Sequence, residues 1–388
     1  MNTTSRPRVA ALDVARGIAI AGTLATNIWI FSHVGGLIGY LNQPTSLGAP
    51  GWQQGAERFG MALANGKFLG LLTIMFGIGL AIQAESARRR GHPWPGGYPV
   101  RAALLFAEGL LHYLLIAEFD VLMGYAVVSL LVARLVVAAP RIQRGWMIVC
   151  AAVHTALVLL GTWGLAIAGP EEPRPLAPNP YRDGSWWDLV EFRIDNLLLF
   201  RLEPVAIFTL SVAMFLAGAW LWRSGVFDER GLRLRRGLIV VGAVAAVADL
   251  TLAMLWPPSI LVCRYLLAPV VAFGLLALIA QLVRTGRGWW SRRAADVGRV
   301  ALSAYILQNL ICGFLFQGWG IGLNAMPPTH RLPVTVAVQL GVVALLAAAA
   351  YAWNRRFGRG PVEWVWHRAA DRIAAGLGLG RQHPVEEV

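Results

Sequence analysis

The chain alternates long apolar runs with short polar joints over its whole length. About 20 apolar residues are needed to cross roughly 30 Å of hydrocarbon. Runs of that kind fall at 9–32, 67–85, 99–117, 120–139, 146–168, 204–222, 237–256, 260–283, 299–318 and 333–353. The pattern predicts an all-α fold, a polytopic membrane helix bundle of about ten transmembrane helices. It forms a single transmembrane domain over residues 1–388. Two joints are long. Residues 33–66 hold Gly35-Gly36, Trp52, Glu57 and Arg58, whereas 169–203 opens on a Pro-rich stretch. The second joint then sets Trp186, Trp187, Phe192 and Ile194 among Asp188, Glu191 and Asp195, which predicts an amphipathic helix at the interface. A tail at 354–388 has a similar feature, with Trp364 and Trp366 near Arg368. The internal repeat found in many transporters is not visible.

Composition excludes a soluble enzyme with one anchor. The chain is 57% hydrophobic and 14% charged, against about a quarter charged in a soluble domain. Its net charge of +13 comes almost wholly from arginine, Lys67 being the one lysine. The arginines fill alternate joints: Arg88 to Arg90; Arg141 and Arg144; Arg223, Arg230, Arg233, Arg235 and Arg236; Arg284, Arg287, Arg292 and Arg293. Arg355, Arg356 and Arg359 follow the last run, while the tight turns at Glu118 and Pro257-Pro258 carry none. By the positive-inside rule both termini are cytoplasmic (N-in/C-in), the tail is cytoplasmic, and the 169–203 joint is extracytoplasmic. The lipid bilayer, with its anionic headgroups, is then the partner of the basic charge. No nucleic acid is expected, since neither a stacking platform nor a basic reading helix is present.

Arg6 and Arg8 precede an apolar run as in a signal peptide. Asp13 and Arg16 interrupt that run and no small-x-small site follows, so an uncleaved first helix is expected. Cys150, Cys263 and Cys312 lie inside apolar runs with no metal-ligand spacing and read as packing residues; no metal is expected. Nucleophile elbow, metal-spaced His pair and Walker loop are all missing.

A charge at the centre of a membrane helix costs about 2.5–3.5 kcal/mol on insertion scales, so each needs a partner or a purpose. Asp13 and Arg16 share a face of the first helix, either as a local ion pair or as a binding site; Gly17 and Gly22 offer a close-packing surface. Asn27 lies deeper, where interhelical bonding is the plainer reading. Lys67 either snorkels to the interface or is required as a compact ammonium. Phe76-Gly77-Ile78-Gly79 reads as helix packing. Glu108 and His112, spaced i,i+4, share one face, and Asp120 follows the next turn. A structural network would explain them, but three converging ionisable groups favour a site with His112 as general base. Arg201, Glu203, Asp249, Arg264, Gln308 and Asn309 fall at similar depth and would, if they meet, line an outward-opening polar cavity. His154 reads as a buried histidine and His33 as interfacial.

These residues resemble the YeiB family, bacterial membrane proteins defined by a domain of unknown function. The resemblance rests on Leu12-Asp13-x-x-Arg16-Gly17 with Asn27, Lys67-Phe68, and Phe76-Gly77-x-Gly79. It continues through Arg101, Gly109, His112, Asp120 and Tyr125, then Gly218 to Arg223 with Gly225. Gly298-Arg299-x-Ala301-Leu302-Ser303-x-Tyr305 with Gln308 and Gly360-Pro361-Val362-Glu363-Trp364 complete it. Through the first-helix motif the family is similar to the wider transmembrane acyltransferases, the heparan-alpha-glucosaminide N-acetyltransferase and acyltransferase-3 group. That resemblance implies acyl transfer from cytoplasmic acyl-CoA or acetyl-CoA, as donor substrate, to an extracytoplasmic acceptor, a small molecule, glycan or lipid. Asp13, Arg16 and Gly17 would bind the donor. His112, Glu108, Asp120, Asn27 and Lys67 would form the catalytic set, with Asp249, Arg264 and Gln308 at the acceptor. It also implies a multi-pass protein of the bacterial plasma (inner) membrane; a homodimer is left open. In the glucosaminide enzymes a catalytic His follows the Asn by roughly three helical turns. Here that place is near Ile38 and the nearest histidine is His33, so a proton-coupled transporter or exporter stands as the alternative, and a non-catalytic scaffold as a third reading.

Overall fold

The structure, a computed structural model, describes residues 10–169, 175–286 and 288–377. Arg6, Arg8, Arg287, the Pro-rich start of the second long joint at 170–174 and the tail beyond 377 lie outside the described residues. Among the described residues every regular element is helical. The helices are α1 (Ala10–Phe31), α2 (Gly36–Asn42), α3 (Gly51–Ala64), α4 (Lys67–Arg89), α5 (Tyr98–Leu115) and α6 (Leu122–Leu135). Then come α7 (Pro140–Ala168), α8 (Pro180–Asp183), α9 (Trp186–Asp195), α10 (Leu197–Ala206), α11 (Phe208–Arg223) and α12 (Leu232–Leu255). Next, α13 (Ile260–Val262) runs through a π-turn (Cys263–Leu267) into α14 (Ala268–Thr285). Last are α15 (Trp289–Arg299), α16 (Ala301–Phe316), α17 (Pro328–Asn354) and α18 (Pro361–Gly376).

All ten predicted runs are helical, and the molecule is a helical membrane bundle. Six helices are long and apolar enough to cross a bilayer, or up to eight if each of two bent pairs is one span. The remaining two predicted spans are α5 and α6, which pack on each other. The first carries Arg101, Glu108 and His112; the second has 14 residues, about 21 Å of helix, short of the hydrocarbon thickness. The bends have local causes. Pro204 lies inside α10, and the chain turns by 41° into α11. Between α15 and α16 the turn is 89°. There the Glu363 carboxylate accepts from the backbone N–H of Leu302 (2.8 Å) and Ser303 (3.3 Å) and from the Ser303 hydroxyl (2.5 Å). A carboxylate from α18 thus caps the new N-terminus of α16.

Small residues set the central contacts, as expected where lipid gives no hydrophobic drive between helices. A Cβ on Gly17 would stand 1.9 Å from the Ala294 carbonyl oxygen, and one on Gly298 1.8 Å from that of Asp13. Helices α1 and α15 therefore touch backbone to backbone. Gly77 meets Phe215 and Gly218 meets Ile74 in the same way between α4 and α11. This accounts for the glycine of the Phe76-Gly77 stretch as packing.

Hydrogen bonds sort the joints into two groups. In one, Arg331 reaches Glu57 (3.8 Å) and the Trp29 carbonyl (2.9 Å). Tyr181 donates to Glu118 (2.8 Å), and Gly318 and Asn324 donate to the Tyr181 carbonyl (2.9 and 3.0 Å). In the other, Arg223 donates to Gln143 (2.9 Å), Arg284 to the Phe227 carbonyl (3.1 Å) and Asn354 to that of Asp296 (2.8 Å). The second group contains the arginine-rich joints, together with the start of α1 and all of α18. Helices that alternate in direction produce this sorting. Assigning the second group to the cytoplasm rests on the positive-inside rule.

In the second long joint, where an interfacial helix is expected, the chain forms α9, begun by a Ser185–Asp188 capping box. Its inward face is Leu189, Val190 and Arg193, while Trp187 and Ile194 look outward. Arg193 ties it down, donating to the carbonyls of Leu114 (2.9 Å) and Ile116 (3.0 Å) and pairing with Glu118 at 3.3 Å.

Candidate functional site

A cavity of about 680 Å³ extends along the bundle from one group of joints to the other. At the arginine-rich end it is bounded by Arg16, Gln83, Tyr98, Arg101, Glu363 and His367. Its middle is largely apolar, with Ile20, Leu72, Phe76 and Leu105 beside Thr23, Tyr125 and Tyr305. At the far end stand Tyr40, Asn65, Glu203, Arg264 and Tyr265. The volume is ordinary for a small-molecule site.

Three residues expected in the site line this cavity: Arg16, Asn27 and Arg264. Arg16 pairs with Asp13 across 3.6 Å and keeps 39% of its side chain exposed. The Asn27 side chain makes no hydrogen bond among the described residues, so its amide is available inside the cavity. Gly17 is taken up by the contact with α15 and Asp13 is buried beneath Arg16. Arg264 donates through Nε and Nη2 to Glu203 Oε1 (3.1 and 2.7 Å) and through Nη1 to Asn65. Tyr265 adds its hydroxyl to the same Glu203 oxygen at 2.8 Å.

The other expected residues stand behind the wall, in separate clusters. Lys67 is buried, donating to Asp249 Oδ2 (2.5 Å) and to the Ala62 carbonyl (2.6 Å). It does not snorkel. Gln308 is buried with its amide 3.4 Å from Thr23 Oγ1. Asn309 Nδ2 donates to His112 Nε2 across 3.0 Å. The imidazole proton then sits on Nδ1, 3.4 Å from Asp120 Oδ1. The ring is 2% exposed and stacks on Tyr305 at 4.8 Å. Tyr305 faces the cavity, so one aromatic ring separates His112 from it. Both Glu108 carboxylate oxygens are buried without a hydrogen-bond partner among the described residues. Arg201 caps the carbonyls of Asp120 (3.2 Å) and Glu118 and lies 4.0 Å over the Tyr113 ring. The groups of similar depth therefore do not converge on one cavity; Glu203 and Arg264 reach it and Asp249, Gln308 and Asn309 do not.

Sequence reasoning passed over Asn65, Arg193 and Arg331. A signal existed for the two arginines. Both sit on the side where the positive-inside rule does not call for arginine, so each called for a carboxylate, and Glu118 and Glu57 supply them.

Residues 220–372 match the family described as a protein of unknown function (DUF418). The uncharacterized protein YeiB of Escherichia coli (strain K12) is 30% identical over 409 residues, spanning 95% of this chain and 97% of that one. The chain belongs to the YeiB family. A second relative in the family is the uncharacterized protein YxaH of Bacillus subtilis (strain 168), 25% identical over 390 residues and 95% of each chain. Both relatives are bacterial and align over nearly all of the bundle. The family match alone already contains Arg264, Tyr305 and Glu363. No solved structure matches.

Proposed function

We propose that this YeiB-family protein transfers an acyl group from cytoplasmic acyl-CoA to an acceptor entering from the opposite side of the bacterial plasma membrane. The observation that carries the reading is the cavity itself. Its arginine-rich end suits the donor's phosphates, its apolar middle suits a pantetheine arm and acyl chain, and its far end is polar again. Arg16 and Arg101 would hold the phosphates, with Arg101 oriented by Gln83 at 2.9 Å. The free amide of Asn27 would donate to the thioester oxygen as negative charge develops there. An acceptor hydroxyl or amine forms the new bond to the acyl carbon, the C–S bond breaks, and the acceptor's proton leaves with the CoA thiol. His112, bonded to Asn309 and stacked on Tyr305, acts through Tyr305 as a positioning residue, not by direct contact with substrate.

The test is binding of acetyl-CoA and free CoA to detergent-purified protein, followed by transfer from labelled acyl-CoA to candidate acceptors. Saturable binding that Arg16→Ala weakens, with transfer that Asn27→Ala lowers about 100-fold, is expected. One observation favours a second reading: the same cavity reaches both groups of joints, which suits proton-coupled export of a small molecule or lipid. Flux across sealed liposomes that follows a proton gradient and ignores acyl-CoA would put export in place of transfer.

A further inference from the structure

The far end of the cavity has two kinds of wall. One is the polar cluster of Arg264, Glu203, Tyr265 and Asn65. The π-turn Cys263–Leu267 sets Arg264 and Tyr265 on the wall together, a use of π-geometry common at ligand sites. Gly66 at φ +74° presses on this turn: a Cβ there would lie 2.5 Å from the Arg264 carbonyl oxygen. Asn65 is thereby held against the guanidinium. All hydrogen bonds received by Glu203 among the described residues fall on Oε1. Oε2 receives none and is not buried, so one charged acceptor atom is left over at the cavity.

The second wall is apolar and belongs to the outside of the bundle. Leu165 of α7, Ile260 and Leu261 of α13 and Leu41 of α2 line this end. Leu165 and Ile260 are 43% and 46% exposed. Leu165 follows the buried Val158 and Thr162 at i+7 and i+3, so it carries the inward stripe of α7 out to the cavity mouth, where Leu41, 67% exposed, joins it. The polar cluster is therefore reached past exposed apolar side chains at the edge of a membrane bundle. A water-soluble ligand would have no reason for such lips; a membrane lipid would.

We infer that this end of the cavity is a lateral binding site for a lipid of the outer leaflet whose headgroup carries an N–H or O–H donor. The headgroup donates to Glu203 Oε2, and its chains pass Leu165, Ile260 and Leu261 into the bilayer. Arg264 is committed to Glu203 and Asn65, so the site selects a donor head over a bare phosphate. The inference holds for transfer and for export alike, and does not depend on which of the two the protein performs.

The experiment uses full-length protein in phosphatidylcholine nanodiscs containing small equal fractions of phosphatidylethanolamine and phosphatidylglycerol. Native mass spectrometry counts the lipids retained. Phosphatidylcholine has no headgroup donor, so at least one of the other two should be enriched about tenfold over its share, as a charge-assisted bond of about 1.4 kcal/mol would give. Glu203→Gln and Leu261→Trp, the latter filling the lateral opening without touching the polar cluster, should each remove the enrichment. A phosphatidylethanolamine with a diazirine in its acyl chain, applied to wild-type protein, needs no variant to fold and should label the Leu165 and Leu261 segments. Equal adducts in all three proteins, or label confined to other helices, overturns the inference. So does enrichment lost in Glu203→Gln but kept in Leu261→Trp, since the ligand would then enter from the aqueous side.

Discussion

Two ion pairs, one closed and one open, lie almost side by side in this protein and serve opposite ends. Lys67–Asp249 and Arg264–Glu203 close to 2.5 and 2.7 Å. Each joins helices far apart in sequence, and Asn65, which contacts Arg264, is two residues before Lys67. Their surroundings differ. Lys67 and Asp249 keep 7% and 2% of their side chains exposed and have no face on the cavity, whereas Arg264 and Glu203 keep 22% and 32% and form its wall. In the closed pair the ammonium also satisfies the Ala62 carbonyl, and Asp249 Oδ1, which has no hydrogen-bond partner among the described residues, is buried away from any space a ligand could enter. In the open pair a carboxylate oxygen remains. Charge in a membrane is thus not itself the mark of a site; what matters is whether a polar atom is left unused beside a space.

The largest effect should come from breaking the closed pair. Removing one partner strands a buried charge and costs about 3–5 kcal/mol, while replacing both by apolar groups of similar volume is near neutral. Asp249→Leu should lower the melting temperature sharply in detergent, and Lys67→Met with Asp249→Leu should recover most of it. A double variant as unstable as the single one would mean that the pair does more than hold α4 to α12.

Acid acts on the joint after α1 without touching either pair. His33 follows α1, bonded through Nε2 to the Gln43 carbonyl at 2.9 Å. Burial, and then the nearby Arg331, lower its pKa from 6.5 to about 4. Between these values the unfolded chain takes up a proton that the folded one refuses, so stability is full above pH 6.5 and falls as pH drops toward 4. The loss is about 3 kcal/mol. Melting temperatures measured across that range should flatten in His33→Gln relative to wild type. Parallel curves for the two proteins would remove His33 as the cause.

The open pair should show the reverse balance. Glu203→Gln keeps the shape and one acceptor, and the pair is partly exposed, so stability should change by about 1 kcal/mol or less. Transfer or flux should fall about tenfold or more. A variant that melts far below wild type would place Glu203–Arg264 with the closed pair.

Sequence alone carried the helices and their alternation, because a membrane span is a one-dimensional property of about 20 residues. It also singled out Asp13, Arg16, Asn27, Lys67, His112 and Arg264, because polar and charged groups in hydrocarbon are conspicuous. It could not say which of them meet. Asp249 and Arg264 sit at similar depth on consecutive helices, and their partners, Lys67 and Glu203, come from other parts of the chain. Helix rotation decides that, and rotation is set by contacts such as Gly17 against Ala294 and Gly77 against Phe215. The bends were hidden as well: Pro204 was visible, but the 89° turn at Val300 depends on Glu363, a residue about 60 positions away that reads as tail. Hence α15 read as an arginine-rich joint and α18 as part of the tail, when together they build the floor on which α1 and α16 stand.

A third pair extends the comparison to the other mouth. Asp13–Arg16 spans 3.6 Å within one helix, and Arg16 is the most exposed member of the three pairs. Asp13 beneath it keeps only 6% exposure, so Arg16→Ala should cost more stability than changing the open pair and less than the about 3–5 kcal/mol of breaking the closed one. Its effect should fall on the donor. A guanidinium at the cavity mouth adds a charge-assisted bond to a phosphate, so acetyl-CoA affinity should drop about tenfold, measured calorimetrically, while the Glu203-dependent lipid retention stays unchanged. Arg101→Gln should weaken donor binding in the same direction, because Arg101 lines the same end. If Arg16→Ala instead unfolded the protein as Asp249→Leu is expected to, Arg16 would be holding α1 in place, and the mouth would not be a binding site by the rule that separates the first two pairs. Exposure of the charged group, not its presence, would then have failed as the criterion.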